Sequence, residues 1–473
     1  MRIETIGLIT IALGLLGWVL GPGFAITVFF ISTLLSAAAA ILLTSLGEAN
    51  IQPAHLLIGF LAAAALVQPA TLRSVGRSLV FPREGFWLAL TAVYAVLSAV
   101  FLPRIFAART DVFAIARLQL GPGIIAIPLV PTSGNITQPV YFAGDVVCFC
   151  LFYAYAGKPE GLTAIIRAAL VCTAINLGFA AIDMGSYAAG LGDVLSVIRN
   201  GAYRMLNDAT VLGFKRIVGS FPEASTFAYF TVGLFAFCAR LRLGGVYSRA
   251  TGPLALLSLL TLVFSTSSTG YAATSGFLIA LFVVGFVQVV TGPVTKPVLV
   301  YVAVLPLAIC AALIGMRLYH PVWSVLSNVV GQTVVDKLAS KSGVERELWN
   351  AQALVNFTDT HGFGAGDGSV RASSFPIAVL GNIGVIGAVT YGLFLVRLLC
   401  WRRDRWAAPF PATCQSAARW ACFAQLVGAS VAGSFIDLGL PFFIFAGLAC
   451  AGPVAERAAR PAAGAAPLAA RAT

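Results

Sequence analysis

The chain has 473 residues, of which 59% are hydrophobic and only 10% are charged, and its mean hydropathy is +0.92. Soluble globular domains are near half apolar and a quarter charged. Soluble enzymes, secreted modules and nucleic-acid binders are therefore excluded, and so is disorder over most of the chain. The formal charge is +12. Part of the Lys and Arg content sets the membrane topology, and part indicates anionic lipid or phosphate partners.

The apolar residues occur in blocks of about 20, the length of a helix that crosses the hydrocarbon core. We predict an all-α, polytopic transmembrane helical bundle of thirteen spans, or twelve if the first hairpin is misread. The N-terminal stretch lacks a basic n-region and a clear cleavage site, which favours a retained first span over a signal peptide. The predicted spans are 5–20, 24–45, 53–68, 86–102, 139–156, 162–188, 222–240, 252–268, 271–291, 297–316, 374–399, 417–434 and 437–454.

Short arginine-rich loops set the predicted orientation. Three such loops fall on one side of the bundle and are assigned to the cytoplasm; they contain Arg73, Arg77 and Arg83, then Arg240, Arg242 and Arg249, then Arg397, Arg402, Arg403 and Arg405. Residues 1–456 form one bundle, and the Ala- and Pro-rich tail 457–473 is predicted to be disordered and cytoplasmic. The N-terminus lies outside for thirteen spans and inside for twelve.

Three long basic loops, 103–138, 189–221 and 317–373, then face the opposite side. They could be ordinary solvated loops. Long loops without a function are uncommon inside compact bundles, however. We therefore expect the functional site on this outer face.

The first candidate cluster opens a predicted span after the second outer loop, with Arg216 followed by Pro222 and Glu223. Proline suits the first helical turn, and the helix dipole favours a carboxylate there. Glu223 could be simply a good first-turn residue. Ionisable residues at membrane depth favour a functional interpretation, in which Glu223 binds or deprotonates a sugar hydroxyl.

The second cluster begins at His361 and continues through alternating glycines to Arg371, Ser373 and Ser374. The glycine spacing matches neither a dinucleotide fingerprint nor a Walker A loop, and glycine alone would indicate a hinge. Backbone N–H groups, hydroxyls and a forked cation together suit a phosphate. The sequence therefore predicts a phosphate that belongs to a lipid-linked group.

The remaining polar residues are less specific. Arg199, Tyr203, Arg204 and Asp208 could bind sugar or pyrophosphate, or could form a helix on the membrane surface. Asp145, Arg167, Asp183 and Asp437 could form a proton path, but pairing or a rim location explains each more simply. Nine cysteines without zinc or redox spacing and three histidines favour no metal and no cofactor.

Three stretches resemble the O-antigen polymerase (Wzy-type), exopolysaccharide polymerase and O-antigen ligase superfamily of bacterial inner membranes. Arg216 to Ser225 is similar to the family's R-x-x-G-x-F-x-E-x-S opening of a central span. Ser265 to Tyr271 resembles its S-x-S-R-T-G-type turn, with Ser268 where an Arg is common. Gly362 to Ser374, followed by Gly384-Val-Ile-Gly, resembles the end of the long outer loop. The motifs cover about a tenth of the chain and are degenerate, whereas the layout of spans matches over nearly all of it.

One departure from the family pattern bears on the reaction. Ligases of the superfamily carry a His-Asn-type pair eleven residues before the Gly-x-x-Gly, where this chain has Ser373 and Ser374. Without that histidine the supposed general base of a ligase is missing. The difference disfavours transfer to lipid A core and favours a polymerase.

The resemblance implies a GT-C-like, membrane-embedded glycosyltransferase that needs no metal and acts at the periplasmic face. Its substrate would be a glycan linked to undecaprenyl pyrophosphate, with membrane lipids around it and a chain-length regulator and a flippase as partners. The pyrophosphate would contact Arg216 and Arg371, with Arg199, Tyr203, Arg204, Ser373 and Ser374 as further candidates. Glu223 or His361 would act as base. The alternatives are a lipid-linked glycan flippase or another transporter, and an O-antigen ligase.

Overall fold

The computed structural model describes residues 2–43, 49–118, 121–201, 205–211, 213–292, 296–318, 341–400 and 409–452, with the isolated residues 327 and 331. In these ranges the chain is mostly helical, with fifteen α-helices. They are α1 (Thr5–Leu20), α2 (Pro22–Ser32), α3 (Pro53–Leu66), α4 (Pro69–Ser78), α5 (Glu84–Ile105), α6 (Gly134–Ala156), α7 (Pro159–Ala188), α8 (Ala224–Leu243), α9 (Ser248–Phe264), α10 (Ser268–Thr291), α11 (Lys296–Leu318), α12 (Lys341–Asp359), α13 (Phe375–Leu399), α14 (Pro409–Ala432) and α15 (Leu440–Cys450).

Short antiparallel sheets accompany the helices, so the fold is mostly helical rather than all-α. β1 (Arg2–Ile3), β2 (Ile41–Leu43) and β3 (Ala49–Ile51) form one sheet in that order. The longest hairpin pairs β4 (Asp111–Leu118) with β5 (Gly121–Pro128), and a small one pairs β6 (Thr210–Val211) with β7 (Phe214–Lys215). The two hairpins lie inside sequence segments that we predicted as outer loops.

The fold is that of a multi-pass helical membrane protein. Among the described residues, six helices are long and apolar enough to cross a membrane: α5, α6, α7, α8, α10 and α13. A seventh span arises if α3 and α4, which are bent by 113°, are one broken span. Lipid-facing surfaces fit this assignment, since Val93, Val96 and Val100 of α5 are exposed although apolar.

The predicted second span, 24–45, is wrong in its second half. Helix α2 ends at Ser32, and the Ser32 and Thr33 hydroxyls donate to the carbonyls of Phe29 and Phe30. The chain then becomes extended, because β2 pairs with β1 on one side and β3 on the other. Apolar composition alone does not distinguish such a strand from a helix.

Helix α15 lies at the centre of the core. Every residue from Phe442 to Ala449 is buried, and this helix packs against α6 and α14. Phenylalanine rings surround it: Phe443 contacts Phe142 and Phe394, and Phe445 contacts Phe237. The middle of the bundle is therefore filled by aromatic side chains.

The segments predicted to face outward gather at one end of the bundle. The backbones of Gly134 and Gly368 touch there, and the side chain of Thr110 donates to Asp359 at 2.7 Å. The segment 317–373 is not simply a loop, because α12 occupies much of it and packs on α13 and β4. The opposite end carries the arginine-rich connections described by the structure, where Arg240 donates to Ser416 at 3.2 Å. The predicted tail 457–473 lies outside the described residues.

Candidate functional site

A cavity of about 680 Å³ opens at the end where the outer segments gather. We call it the charged cavity. Its walls come from the start of α8, from α12, from the segment before α13 and from the connection between α14 and α15. The charged side chains that line it are Glu223, Glu345, Arg346, Arg371 and Asp437.

Arg371 faces this cavity between two aromatic rings. Its guanidinium carbon lies 5.7 Å from the ring centre of Trp349 and 5.7 Å from that of Phe435. The side chain keeps an exposed surface toward the cavity, while the surrounding protein lowers its pKa by desolvation, opposed by Glu223 and Glu345. Rings on two sides fix the plane of the guanidinium. Its donors are thereby preoriented for an anion.

Arg216 lies beside the same cavity. Its Nη2 donates to the carbonyl of Thr266 at 3.2 Å, and its buried Nε has no hydrogen-bond partner within the described part of the chain. Burial lowers the Arg216 pKa, the Glu223 carboxylate opposes this effect, and the Arg346 charge adds to it. The stretch that begins at Arg216 therefore contacts the turn between α9 and α10.

Glu223 connects the two arginines electrostatically, because its charge acts on both guanidinium groups. Helix α8 begins at Ala224, so Glu223 is the residue before the helix rather than part of its first turn. Its carboxylate accepts a hydrogen bond from the Ser225 hydroxyl. The three stretches that carried the family resemblance meet here, since Thr269 of the second and Ser373 of the third also line the cavity.

The glycine-rich segment does not form the predicted phosphate cradle. Several of its N–H groups already bond to protein: Ala365 to the Gly381 carbonyl, Gly366 to the Asn382 carbonyl and Asp367 to the Ser98 hydroxyl. The glycines instead allow close packing, since a Cβ on Gly368 would lie 2.2 Å from the Gly134 carbonyl oxygen. The segment thus positions Arg371 and Ser373, and the N–H groups of Ala365, Gly366 and Asp367 are not free for an anion.

Two further predicted residues lie outside the charged cavity. His361 is exposed, with its ring edge toward Phe106 at 6.3 Å between ring centres. Ser374 precedes α13, and its carbonyl accepts the Ala378 N–H. Ser373, one residue earlier, lines the cavity, and its N–H donates to Asn350 at 2.8 Å.

Arg199 is held in a buried ion-pair network and does not line the charged cavity. Its side chain is 2% exposed and pairs with Asp183 at 2.8 Å and Asp193 at 2.7 Å. Asp183 also accepts from Lys215 at 2.7 Å and from the N–H groups of Val218 and Gly219. This network fixes the backbone on both sides of Arg216, because Lys215 precedes it and Val218 and Gly219 follow it. Tyr203 and Arg204 lie outside the described residues.

Three charged residues of the cavity were not selected as site residues from the sequence: Glu345, Arg346 and Asp437. Glu345 and Arg346 belong to α12, which we predicted as part of a loop. Asp437, for which the sequence offers a proton path or a rim location, lines the cavity. Its Oδ1 accepts the Gly439 N–H, which orients the carboxylate in the turn before α15.

Asp367 lies in the glycine-rich segment near these groups and is 1% exposed. Burial, together with the charge of Asp437, raises its pKa to about 8, although the Gly368 N–H opposes the shift. Among the described residues, no three His, Cys, Asp or Glu side chains converge as a metal site would require.

The charged cavity thus combines guanidinium groups, carboxylates and hydroxyls at one end of a membrane bundle. Such a site can hold a polyanionic group and accept a proton. The chain matches no protein-family model, and no curated protein matches it significantly.

Proposed function

We propose that the chain is a membrane-embedded glycosyltransferase that polymerises oligosaccharide repeat units linked to undecaprenyl pyrophosphate, as O-antigen or exopolysaccharide. The enzyme would lie in the bacterial inner membrane with the charged cavity on the periplasmic face. The observation that carries this proposal is that Arg346 and Arg371 line one cavity at the end of the outer segments, with Arg216 close enough for the charges of Glu223 and Arg346 to act on it.

The chemistry that such a reaction needs is mainly electrostatic. A pyrophosphate is already a good leaving group, so the protein must position it and spread the charge that develops as the glycosidic bond breaks. Guanidinium groups do this through paired donors and keep their charge at all physiological pH values. Glu223 supplies a counter-charge to both Arg216 and Arg371.

The alternative functions, a flippase and a ligase, agree less well with the structure and the sequence. A flippase needs a polar route between the two faces of the membrane, whereas the core beside the cavity is filled by Phe142, Phe394 and Phe443. A ligase of the resembled superfamily would have a histidine where this chain has Ser373 and Ser374. Both observations favour the polymerase.

Deleting the gene in its own host tests the proposal. We expect lipid-linked single repeat units to accumulate on the periplasmic side while polymer disappears, and the wild-type gene to restore polymer. Failure of single units to reach the periplasmic side would indicate a flippase. Polymer that is made normally but not transferred to lipid A core would indicate a ligase. Either result would contradict the proposal.

A further inference from the structure

A second cavity, of about 560 Å³, adjoins the charged cavity. We call it the polar cavity. The two share five lining residues: Thr226, Tyr229, Phe435, Asp437 and Leu438. A ligand group in one cavity is therefore next to a ligand group in the other.

The lining of the polar cavity differs in charge from that of its neighbour. It carries amide groups on Asn50, Gln52 and Gln138, the Thr137 hydroxyl and the Tyr141 ring. Neither Lys nor Arg is among its described lining residues, and Asp437 is its one charged carboxylate. Amides and hydroxyls both donate and accept hydrogen bonds, as sugar hydroxyls do. The lining suits an uncharged hydroxylated ligand better than a phosphate.

His55 provides an independent sign of a ligand. Both of its ring nitrogens are buried and have no hydrogen-bond partner among the residues that the structure describes, and its ring centre lies 4.9 Å from that of Tyr141. The Tyr141 hydroxyl in turn donates to the Asn50 carbonyl, which fixes the ring. A buried polar group without a partner is costly and rare. The imidazole therefore has hydrogen-bonding capacity available to a group that enters the cavity.

Asp437 stands where the two cavities meet. It is the charged residue common to both linings. No described Lys or Arg forms an ion pair with it, whereas Glu223 has two arginines for electrostatic neighbours. Its carboxylate is thus the acidic group best placed between a pyrophosphate among the arginines and a sugar beside His55.

We infer that the polar cavity binds the sugar of the acceptor and that Asp437 takes up the proton of its attacking hydroxyl. The inference rests on the proposed function. The hydroxyl oxygen forms a bond to the anomeric carbon of the donor glycan, and the bond from that carbon to the phosphate oxygen breaks. The electron pair leaves with the lipid pyrophosphate, which the arginines hold, and the hydroxyl proton passes to the Asp437 carboxylate.

The test separates acceptor binding from catalysis in proteoliposomes that contain the purified full chain. Long lipid-linked glycan serves as donor at fixed concentration. Fluorescently labelled single lipid-linked units, extracted from the deletion strain, serve as acceptor at varied concentration. The label in polymer gives a maximal rate and a half-saturating concentration. Gln352→Ala is the matched amide control, because Gln352 donates to the Asp111 carbonyl outside both cavities.

We expect Gln138→Ala and His55→Ala each to raise the half-saturating acceptor concentration about tenfold, because each variant loses one hydrogen bond to the acceptor. Asp437→Asn should lower the maximal rate by roughly 10²–10⁴-fold, and Asp437→Glu should recover part of it. Wild-type half-saturation in both cavity variants, or a wild-type rate in Asp437→Asn, would overturn the inference while leaving the polymerase intact. Absence of polymer from the wild-type protein would instead remove the proposed function, and the inference with it.

Discussion

The Arg371 guanidinium lies over two aromatic rings, and these contacts make the arginine hard to replace by another residue. Trp349 and Phe435 each lie 5.7 Å from the guanidinium carbon. A lysine keeps the charge but has neither the planar fork nor the stacking surface. The identity of the cation should therefore matter, as well as its charge.

For Arg371→Ala we expect polymer formation in cells to fall about one to two decades at matched expression, because a charge-assisted contact contributes about 1.5–3 kcal/mol. Arg371→Lys should recover activity only in part. Arg109→Ala is the matched control, since Arg109 is exposed at the same end but does not line the charged cavity. Near-normal polymer from Arg371→Ala would remove this residue from the site.

Asp367 should make stability depend on pH. Its pKa is about 8 in the folded protein against an ordinary value of 3.8. Between these values the folded state binds the additional proton, so the contribution to stability is complete below about pH 4 and is lost as pH rises toward 8. We expect the apparent Tm in detergent to fall less between pH 5 and pH 8 for Asp367→Asn than for the wild type. Equal slopes would contradict a buried, protonated Asp367.

At the scale of single residues, part of the candidate site could be predicted from the sequence. Glu223, Arg371 and Ser373 line the charged cavity and the charge of Glu223 acts on Arg216, although no local sequence pattern shows that two distant span ends meet. Arg199 was indistinguishable from a ligand-binding arginine, because its partner Asp183 is far back in a predicted span. His361 begins the segment that leads to Arg371 but does not line the charged cavity, and its φ of 53° lies in the left-handed region.

Elements were predictable where the apolar pattern was long and continuous. Helices α5, α7, α10 and α13 agree with predicted spans to within a few residues. Helix α12 was missed because its sequence is polar on most faces, and only contact with β4 and α13 explains its buried Trp349 and Ala353. The β4–β5 hairpin was missed for a related reason, since a strand pair in a basic loop has no span-length signal.

Helix α15 depends on a small residue where it crosses α6. A Cβ on Gly447 would lie 2.6 Å from the Phe149 carbonyl oxygen and 2.9 Å from the Tyr153 nitrogen. Both are backbone atoms of a buried helix and cannot rotate away. The glycine therefore sets the distance between the two helices.

We expect Gly447→Val to lower the apparent Tm and the yield of folded protein, since overpacking a core costs about 1–3 kcal/mol. Gly392→Ala is the matched control: Gly392 is also helical, but no atom lies within 4 Å of an added Cβ, and alanine favours a helix. If Gly447→Val melted with the wild type in a thermal-shift measurement, the close contact of α15 with α6 would be contradicted.

At the scale of the whole molecule, the arrangement of loops places the charged cavity at one end of the bundle. The described parts of the three segments predicted to face outward contribute to one end, and the described arginine-rich connections lie at the other. Six or seven spans are recognisable by length and composition among the described residues, against twelve or thirteen predicted. Short apolar helices such as α1, α2, α9 and α15 account for part of the difference, because composition cannot reveal where a helix ends inside an apolar run.

Cysteine labelling checks this polarity. In a Cys310→Ser, Cys400→Ser background, which removes the two exposed native thiols among the described residues, Ser133→Cys and Ala250→Cys each place one exposed thiol at opposite ends. We expect a membrane-impermeant maleimide to label position 133, but not 250, from the periplasmic side. Labelling of 250 alone would invert the proposed orientation.

The most direct test of the account is polymerisation by the purified protein. Proteoliposomes that contain only the wild-type chain should convert lipid-linked repeat units, extracted from the deletion strain, into a ladder of longer glycans on a gel. The variants Arg216→Ala, Arg346→Ala and Arg371→Ala should each form the ladder about one to two decades more slowly while remaining folded. A wild-type protein that leaves intact units unpolymerised, or three alanine variants that polymerise at the wild-type rate, would contradict the claim that the charged cavity is the active site of a polysaccharide polymerase.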